Sequence, residues 1–326
     1  MSFRIIKNGI AKSTTDAQQD SRLESIGSYD ILTEEKRFVA IPNYSTTFIH
    51  STNGIDWTEG SLPTDGNWIM AYGKNKFVAV SFSSNTTLYS TDGITWTQST
   101  KAGSGGTISV AFGNDRFLAL PYFASSFNYS RDGIDWTLST SPSNANWREV
   151  VYGDDKFVGI LLNSTQASWT RDGLSWTTAT LPTNTNWNTL AYGNGVFLAS
   201  NGYQIAATST NGISWTQRSM PSSNGSSWKV RYGNAKFVAV GYYSSTAAHS
   251  TNGITWTTST LPSSDSWNEL IYGDGKFITF AGGGQGPSNK SAYSTDGITW
   301  TAVTLPVQGE WAATYGELQI TKNIYV

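Results

Sequence analysis

The chain has 326 residues, of which 13% are charged, and a formal net charge of -2. That balance makes no electrostatic case for nucleic acid or for an anionic membrane surface. There is no cysteine, so no disulfide framework holds the fold, and no run of about 18 apolar residues reads as a spanning helix.

In chain order, the first 15 residues, MSFRIIKNGIAKSTT, lack the apolar stretch of a secretory leader, so Sec-type export is not expected. Residues 3–6, FRII, alternate like a strand leading into the turn-forming Lys7-Asn8-Gly9. From Ser51 onward one pattern returns seven times: STNGIDWT, STDGITWT, SRDGIDWT, TRDGLSWT, STNGISWT, STNGITWT and again STDGITWT. Its tryptophans are Trp57, Trp96, Trp136, Trp176, Trp215, Trp256 and Trp300, spaced 39, 40, 40, 39, 41 and 44. Each unit has the same other half. Trp68 opens WIMAYGKNKFVAV, Trp187 opens WNTLAYGNGVFLAS and Trp267 opens WNELIYGDGKFITF.

One unit thus reads as four short segments, each rich in β-branched and aromatic residues and bounded by Gly, Asn, Asp or Ser. Four strands in a period near 40 predict an all-β fold, a β-propeller of four-stranded antiparallel blades. The acidic or amide residue before each glycine alternates between Asp (Asp92, Asp132, Asp172, Asp296) and Asn (Asn53, Asn211, Asn252). A turn tolerates that exchange, whereas a general acid or metal ligand does not. The dipeptides predict type I′ turns with φ > 0 at both central residues, and an inward-packed apolar residue after each glycine.

These motifs resemble the Asp-box of sialidase-type (BNR) propellers, a turn between the third and fourth strands of a blade. Here Asp and Gly are adjacent, one residue closer than in that family. The resemblance implies a propeller fold with the box away from any active site. It also sets a check for sialidase chemistry, which needs three arginines on the substrate carboxylate and a Tyr/Glu nucleophile pair. Residues 3–6 lack the proline of that family's FRIP, and Arg131 and Arg171 occupy the same turn-flanking slot of two repeats, so no convergence is expected.

The termini carry the remaining halves. Residues 311–320, WAATYGELQI, read as the first two strands of a unit, and residues 6–13 align on the motif with Lys12 in the tryptophan place. Dividing 326 by eight gives about 41, matching the period. The expectation is one domain over residues 1–326, a ring of eight blades in which 1–28 and 311–326 together make the last. Seven blades with terminal extensions is the alternative.

Function should sit on the loop face. Its exposed aromatics Tyr122, Phe123, Tyr203, Tyr242 and Tyr243 suit stacking on sugars or peptides, and Arg148 and Arg231 are candidate channel-lining ligand residues. Glu149, Lys229 and Glu269 share one register, three before the tyrosine, which suggests ion pairs between blades. Glu59, Asp65, Asp265 and Glu310 are scattered singly, without the paired spacing that glycoside hydrolysis demands. His50 and His249 stand where other units have Tyr, so no metal and no cofactor are expected. Uncharged Ser/Thr/Asn/Gly loops resemble bacteriophage virion and tail-associated propellers. The expected function is non-enzymatic binding or assembly in a virion, with other virion or surface proteins and cell-surface glycan as partners and homo-oligomers possible. A glycan-binding lectin and a degenerate sialidase-like hydrolase are the alternatives, and extracellular placement by a non-Sec route is the alternative to the virion.

Overall fold

The computed structural model describes residues 3–7, 10–13, 29–103, 106–122, 124–225, 227–284 and 286–324. All regular structure among them is strand. Within a repeat the four strands differ in burial, and composition follows. The innermost strand Trp68–Gly73 alternates, the second, Lys76–Ser81, is buried almost throughout, and the outermost, Thr97–Thr100, is mostly exposed. Hence the second strand reads FVAV and the outermost TQST, each suited to the faces it covers.

The strands form six hydrogen-bonded sheets. The structure is therefore a propeller of six blades counted by sheet, and both the eight-blade ring and its seven-blade alternative are overturned. Two features explain the difference. First, strand Thr257–Gly273 runs on from the outer position of one repeat into the inner position of the next, so two repeats share one six-stranded sheet. Seven motif turns are carried on six sheets for this reason. Second, no blade is built from the two terminal segments. Trp311–Ile324 pairs antiparallel with Tyr29–Pro42 along its whole length, with Tyr315 opposite Phe38 as Tyr72 is opposite Phe77. The C-terminal strand is thus the innermost strand of the first blade. Phe3–Lys7 and Ile10–Ser13 form a hairpin laid on the other edge of residues 30–33. Residues 14–28 of the expected closing segment lie outside the described residues.

The turn assignments also change. In each motif only the glycine has positive φ, for example Gly93 at 70° and Gly297 at 70°. The Asp or Asn instead uses its side chain. Asp92 Oδ1 accepts from the Ile94 and Thr95 N–H groups, both at 2.7 Å, while Ser90 Oγ accepts from Gly93 N–H at 2.8 Å. An amide oxygen accepts equally well, and Asn211 does so toward Ile213 and Ser214. Pairs with φ > 0 belong to the other hairpin, after Tyr-Gly, as at Lys74 and Asn75 or Asp154 and Asp155. The apolar residue after the motif glycine points outward, with Ile94 43% and Ile254 46% exposed.

Blades meet through aromatic side chains. The core divides into clusters shared by neighbours, such as Val78 and Val80 with Phe117 and Trp136 of the next sheet. Motif tryptophans reach the preceding blade: Trp96 packs edge-on against Phe48, and Trp57 against Phe280 across the closure. The glycine of each Tyr-Gly pair faces the next aromatic ring. A Cβ on Gly153 would stand 2.2 Å from the Tyr192 ring, and one on Gly316 2.3 Å from Tyr72. That last contact closes the circle.

Candidate binding site at the channel mouth

The innermost strands Trp311–Ile324, Trp68–Gly73, Thr107–Gly113, Trp147–Gly153, Thr189–Gly193, Ser227–Gly233 and the end of Thr257–Gly273 touch in this order around a central cavity of about 660 Å³. The residue three before each strand's aromatic sets how neighbours join. Ser109 Oγ accepts from Val150 N–H at 3.1 Å, Glu149 Oε2 from Leu190 N–H at 2.8 Å and Thr189 Oγ1 from Val230 N–H at 3.3 Å. Lys229 holds the next place and cannot accept, so Leu270 N–H turns to its own strand's Glu269 Oε1 at 3.0 Å.

This break in the pattern builds a charge cluster. Arg231 Nη1 lies 3.0 Å from Glu149 Oε1 and its Nη2 3.6 Å from Glu269 Oε1, while Lys229 Nζ is 3.7 Å from Glu149 Oε1. Arg231 therefore joins the carboxylates of two other strands. Burial alone would raise the Glu149 carboxyl, but Lys229, Arg231 and the Leu190 N–H outweigh it and hold the group below the ordinary carboxylate value. Burial opposes the Arg231 charge in the same way, and the two glutamates more than restore it.

A second recess of about 370 Å³ adjoins the channel and is lined by Arg148, Asn188, Ser227, Trp228, Lys229, Tyr242, Trp267 and Asn268. Four of these, Arg148, Asn188, Lys229 and Asn268, also line the channel, so the recess is its mouth on the loop side. Arg148 makes one long hydrogen bond, from Nε to Asn188 O at 3.4 Å, and no ion pair among the described residues.

Of the expected ligand aromatics among the described residues, only Tyr242 lines this recess. Its ring lies 4.2 Å from that of Tyr243, and its hydroxyl accepts from Gly284 N–H at 2.9 Å. The pair sits on a β-bulge in strand Lys236–Ser250, where Tyr243 has φ 59°. Tyr203 is 58% exposed and does not line the recess, although its carbonyl accepts from the indole N–H of recess-lining Trp228 at 3.2 Å. Tyr122 is half-buried with its ring 5.9 Å from Phe82, and Phe123 lies outside the described residues. Sequence reasoning did not single out Asn188 and Asn268, which follow Trp187, just before an innermost strand, and Trp267, within one. Their place directly after the repeated tryptophan, which Arg148 shares, was the available signal.

Several other candidates make structural contacts. Asp265 pairs with Lys290 at 2.7 Å. The His50 ring faces Arg37 at 3.4 Å, and burial and that cation push its pKa down. Asp154 and Asp155 form a hairpin turn, with Asp154 paired to Lys156. Among the described residues no group of three His, Cys, Asp or Glu could hold a metal ion.

The fold and this axial mouth define the chain as an all-β propeller with a polar, partly charged opening on its axis. No family model matches the chain, and no curated protein matches it. Solved structures do. A streptogramin B lyase aligns with a TM-score of 0.69 at 10% identity, covering 89% of this chain and 98% of its own. A catalytically inactive virginiamycin B lyase from Staphylococcus aureus with quinupristin gives 0.67 at 12%, covering 80% and 95%. YCF48 bound to D1 peptide gives 0.57 at 17%, covering 81% and 83%. At such identities the likeness shows the propeller fold alone.

Proposed function

We propose that this propeller is a non-enzymatic binding module that holds its partner at the loop-side mouth of the channel. The observation that carries this reading is the division of labour among charged groups. Motif carboxylates are consumed as turn acceptors, and Glu149 and Glu269 serve Arg231 and backbone N–H groups. No Asp or Glu lines the recess, while Arg148, Tyr242 and two asparagines face it. The propeller fold itself chooses nothing, since one neighbour is a lyase with quinupristin and another is bound to a peptide. Tyr122, Tyr203 and Tyr242 sit in unlike surroundings, which argues against a lectin with one equivalent site per blade. The setting we propose is virion or tail assembly and host recognition, supported by the Ser/Thr/Asn/Gly-rich loops on that face, which carry few charges. Glycan and peptide arrays with the full chain, read beside a hydrolysis assay on sialosides and common glycosides, test this reading. Capture weakened by Tyr242→Ala, without turnover, is expected. Steady hydrolysis abolished by one carboxylate substitution would overturn it.

A further inference from the structure

The recess at the mouth has a composition that goes further than a generic binding face. Its two charged residues, Arg148 and Lys229, are both cations, and no Asp or Glu lines it. Around them Asn188, Asn268, Ser227 and Tyr242 offer hydrogen-bonding groups on a rigid strand framework. Lys229 faces Glu149 only at 3.7 Å, beyond hydrogen-bond length, so its ammonium donors are not used up there. Arg148 keeps both Nη groups without a hydrogen bond among the described residues.

We propose that this recess is a site for a monovalent carboxylate, with the guanidinium of Arg148 as the fork that holds it and Lys229 as the second cation. This rests on the binding reading above and names the ligand class for it. Charge decides between oxyanions. Arg148, Lys229 and Arg231 bring three positive charges to the cluster, and Glu149 and Glu269 remove two, leaving at most one once Glu310, whose charge acts on Tyr242, is counted. A single negative charge neutralises that remainder, whereas a phosphate or sulfate dianion would bring excess charge close to two glutamates. Geometry agrees, because a planar guanidinium matches a carboxylate with two parallel N–H···O bonds. The volume of about 370 Å³ lies at the small end of ligand pockets and suits one acid-bearing unit rather than an extended chain. Tyr242 beside the fork gives that unit a flat face to rest on.

Trp228 and Trp267 line the recess, so titration calorimetry can be paired with tryptophan fluorescence on the full chain. The probes are glucuronate and N-acetylglycine, as sugar-acid and peptide-type carboxylates, with glucose and N-acetylglycinamide as their uncharged counterparts, and inorganic sulfate. At least one carboxylate should bind saturably, about tenfold more tightly than its neutral counterpart and than sulfate. Arg148→Gln should remove that preference, and Lys229→Met should reduce it, while Arg131→Gln on a distant turn leaves it intact. Arg148 makes only one long bond within the protein, so its variant should keep the parent melting temperature. Equal binding of acid and neutral probes, or a preference that survives Arg148→Gln, would refute the carboxylate site. The binding reading would then stand if array capture still fell in Tyr242→Ala. Tighter binding of sulfate would assign the recess to dianions instead. If the acid preference holds but the arrays show no capture, the carboxylate site stands and the wider partner reading fails.

Discussion

Two sets of repeated positions in this ring behave in opposite ways. At the motif turn, seven units keep the same hydroxyl, the same acceptor oxygen and the same glycine, and each makes the same local bonds. Three residues before the innermost aromatic, the units diverge: Ile69, Ser109, Glu149, Thr189, Lys229, Glu269 and Ala312. The invariant position does the same structural task around the ring. The divergent one breaks the symmetry, and the break falls where the charge cluster and the recess lie. In a repeat fold, chemistry is therefore sought where the repeat fails, not where it is strongest.

The closing strand should show the largest effect of all, because it completes the repeated inner ring. Removing residues 311–326 takes the inner strand from the first blade and exposes the edge of Tyr29–Pro42. We expect aggregation or loss of cooperative unfolding. Removing residues 1–13 takes only a peripheral hairpin and should lower the melting temperature far less. Equal damage from both, by calorimetry and light scattering, would contradict the assigned pairing.

Next in size is the close approach of blades. Gly153→Ala places a methyl against the Tyr192 ring, where a Cβ would come within 2.2 Å, and should cost about 1–3 kcal/mol by overpacking. Gly195, with open space around it and φ 72°, isolates the conformational cost, so Gly195→Ala should cost less. Denaturant melts of the two variants separate crowding from backbone strain.

At the divergent register, Glu149→Ala strands the Leu190 N–H and removes a partner from Arg231, with an expected loss of about 1–3 kcal/mol. Glu149→Gln keeps an oxygen for that N–H and should lose less. Thr189→Ala, in the uncharged equivalent, tests the bond without the charge. If all three variants match the parent in stability, the bonds between innermost strands contribute nothing.

Much of this was legible in the sequence, and the failures have physical causes. The period, the four strands and the structural use of Asp and Asn follow from local chemistry. Ring closure did not, because the pairing of Ile320 with Thr33 joins residues 287 apart and no local signal fixes such a register. WAATYGELQI looked like an inner hairpin since Tyr315-Gly316 copies the other units. But Glu317 and Leu318 do not take the positive φ that Lys74 and Asn75 adopt, and Leu318 is fully buried in a continuing strand. The channel cluster was visible as a shared register, whereas the sharing of one recess by Arg148 and Tyr242 depends on how blades sit beside each other.

The smallest effect, and the sharpest test of the comparison, belongs to the motif carboxylates. Burial would raise the Asp172 carboxyl, yet the Ser175 and Leu174 N–H groups and the Thr170 hydroxyl bring it down from 3.8 to about 2. In Asp296 the Thr299 and Ile298 N–H groups and the Ser294 hydroxyl do the same, also to about 2. A carboxyl depressed in the folded state stabilises fully above its unfolded value and ceases to do so as pH falls through the folded one. The window therefore runs from about pH 4 down to about pH 2. The double variant Asp172→Asn, Asp296→Asn keeps both acceptor oxygens and should melt within about 2 °C of the parent at pH 7, since these turns face solvent and charge adds little there. Its melting temperature should then decline less steeply than the parent's between pH 4 and 2, because two protonation steps are gone. A large loss at pH 7 would mean that the charge itself, rather than the oxygen acceptor, holds the turn, and the free exchange of Asp for Asn around the ring would need another cause.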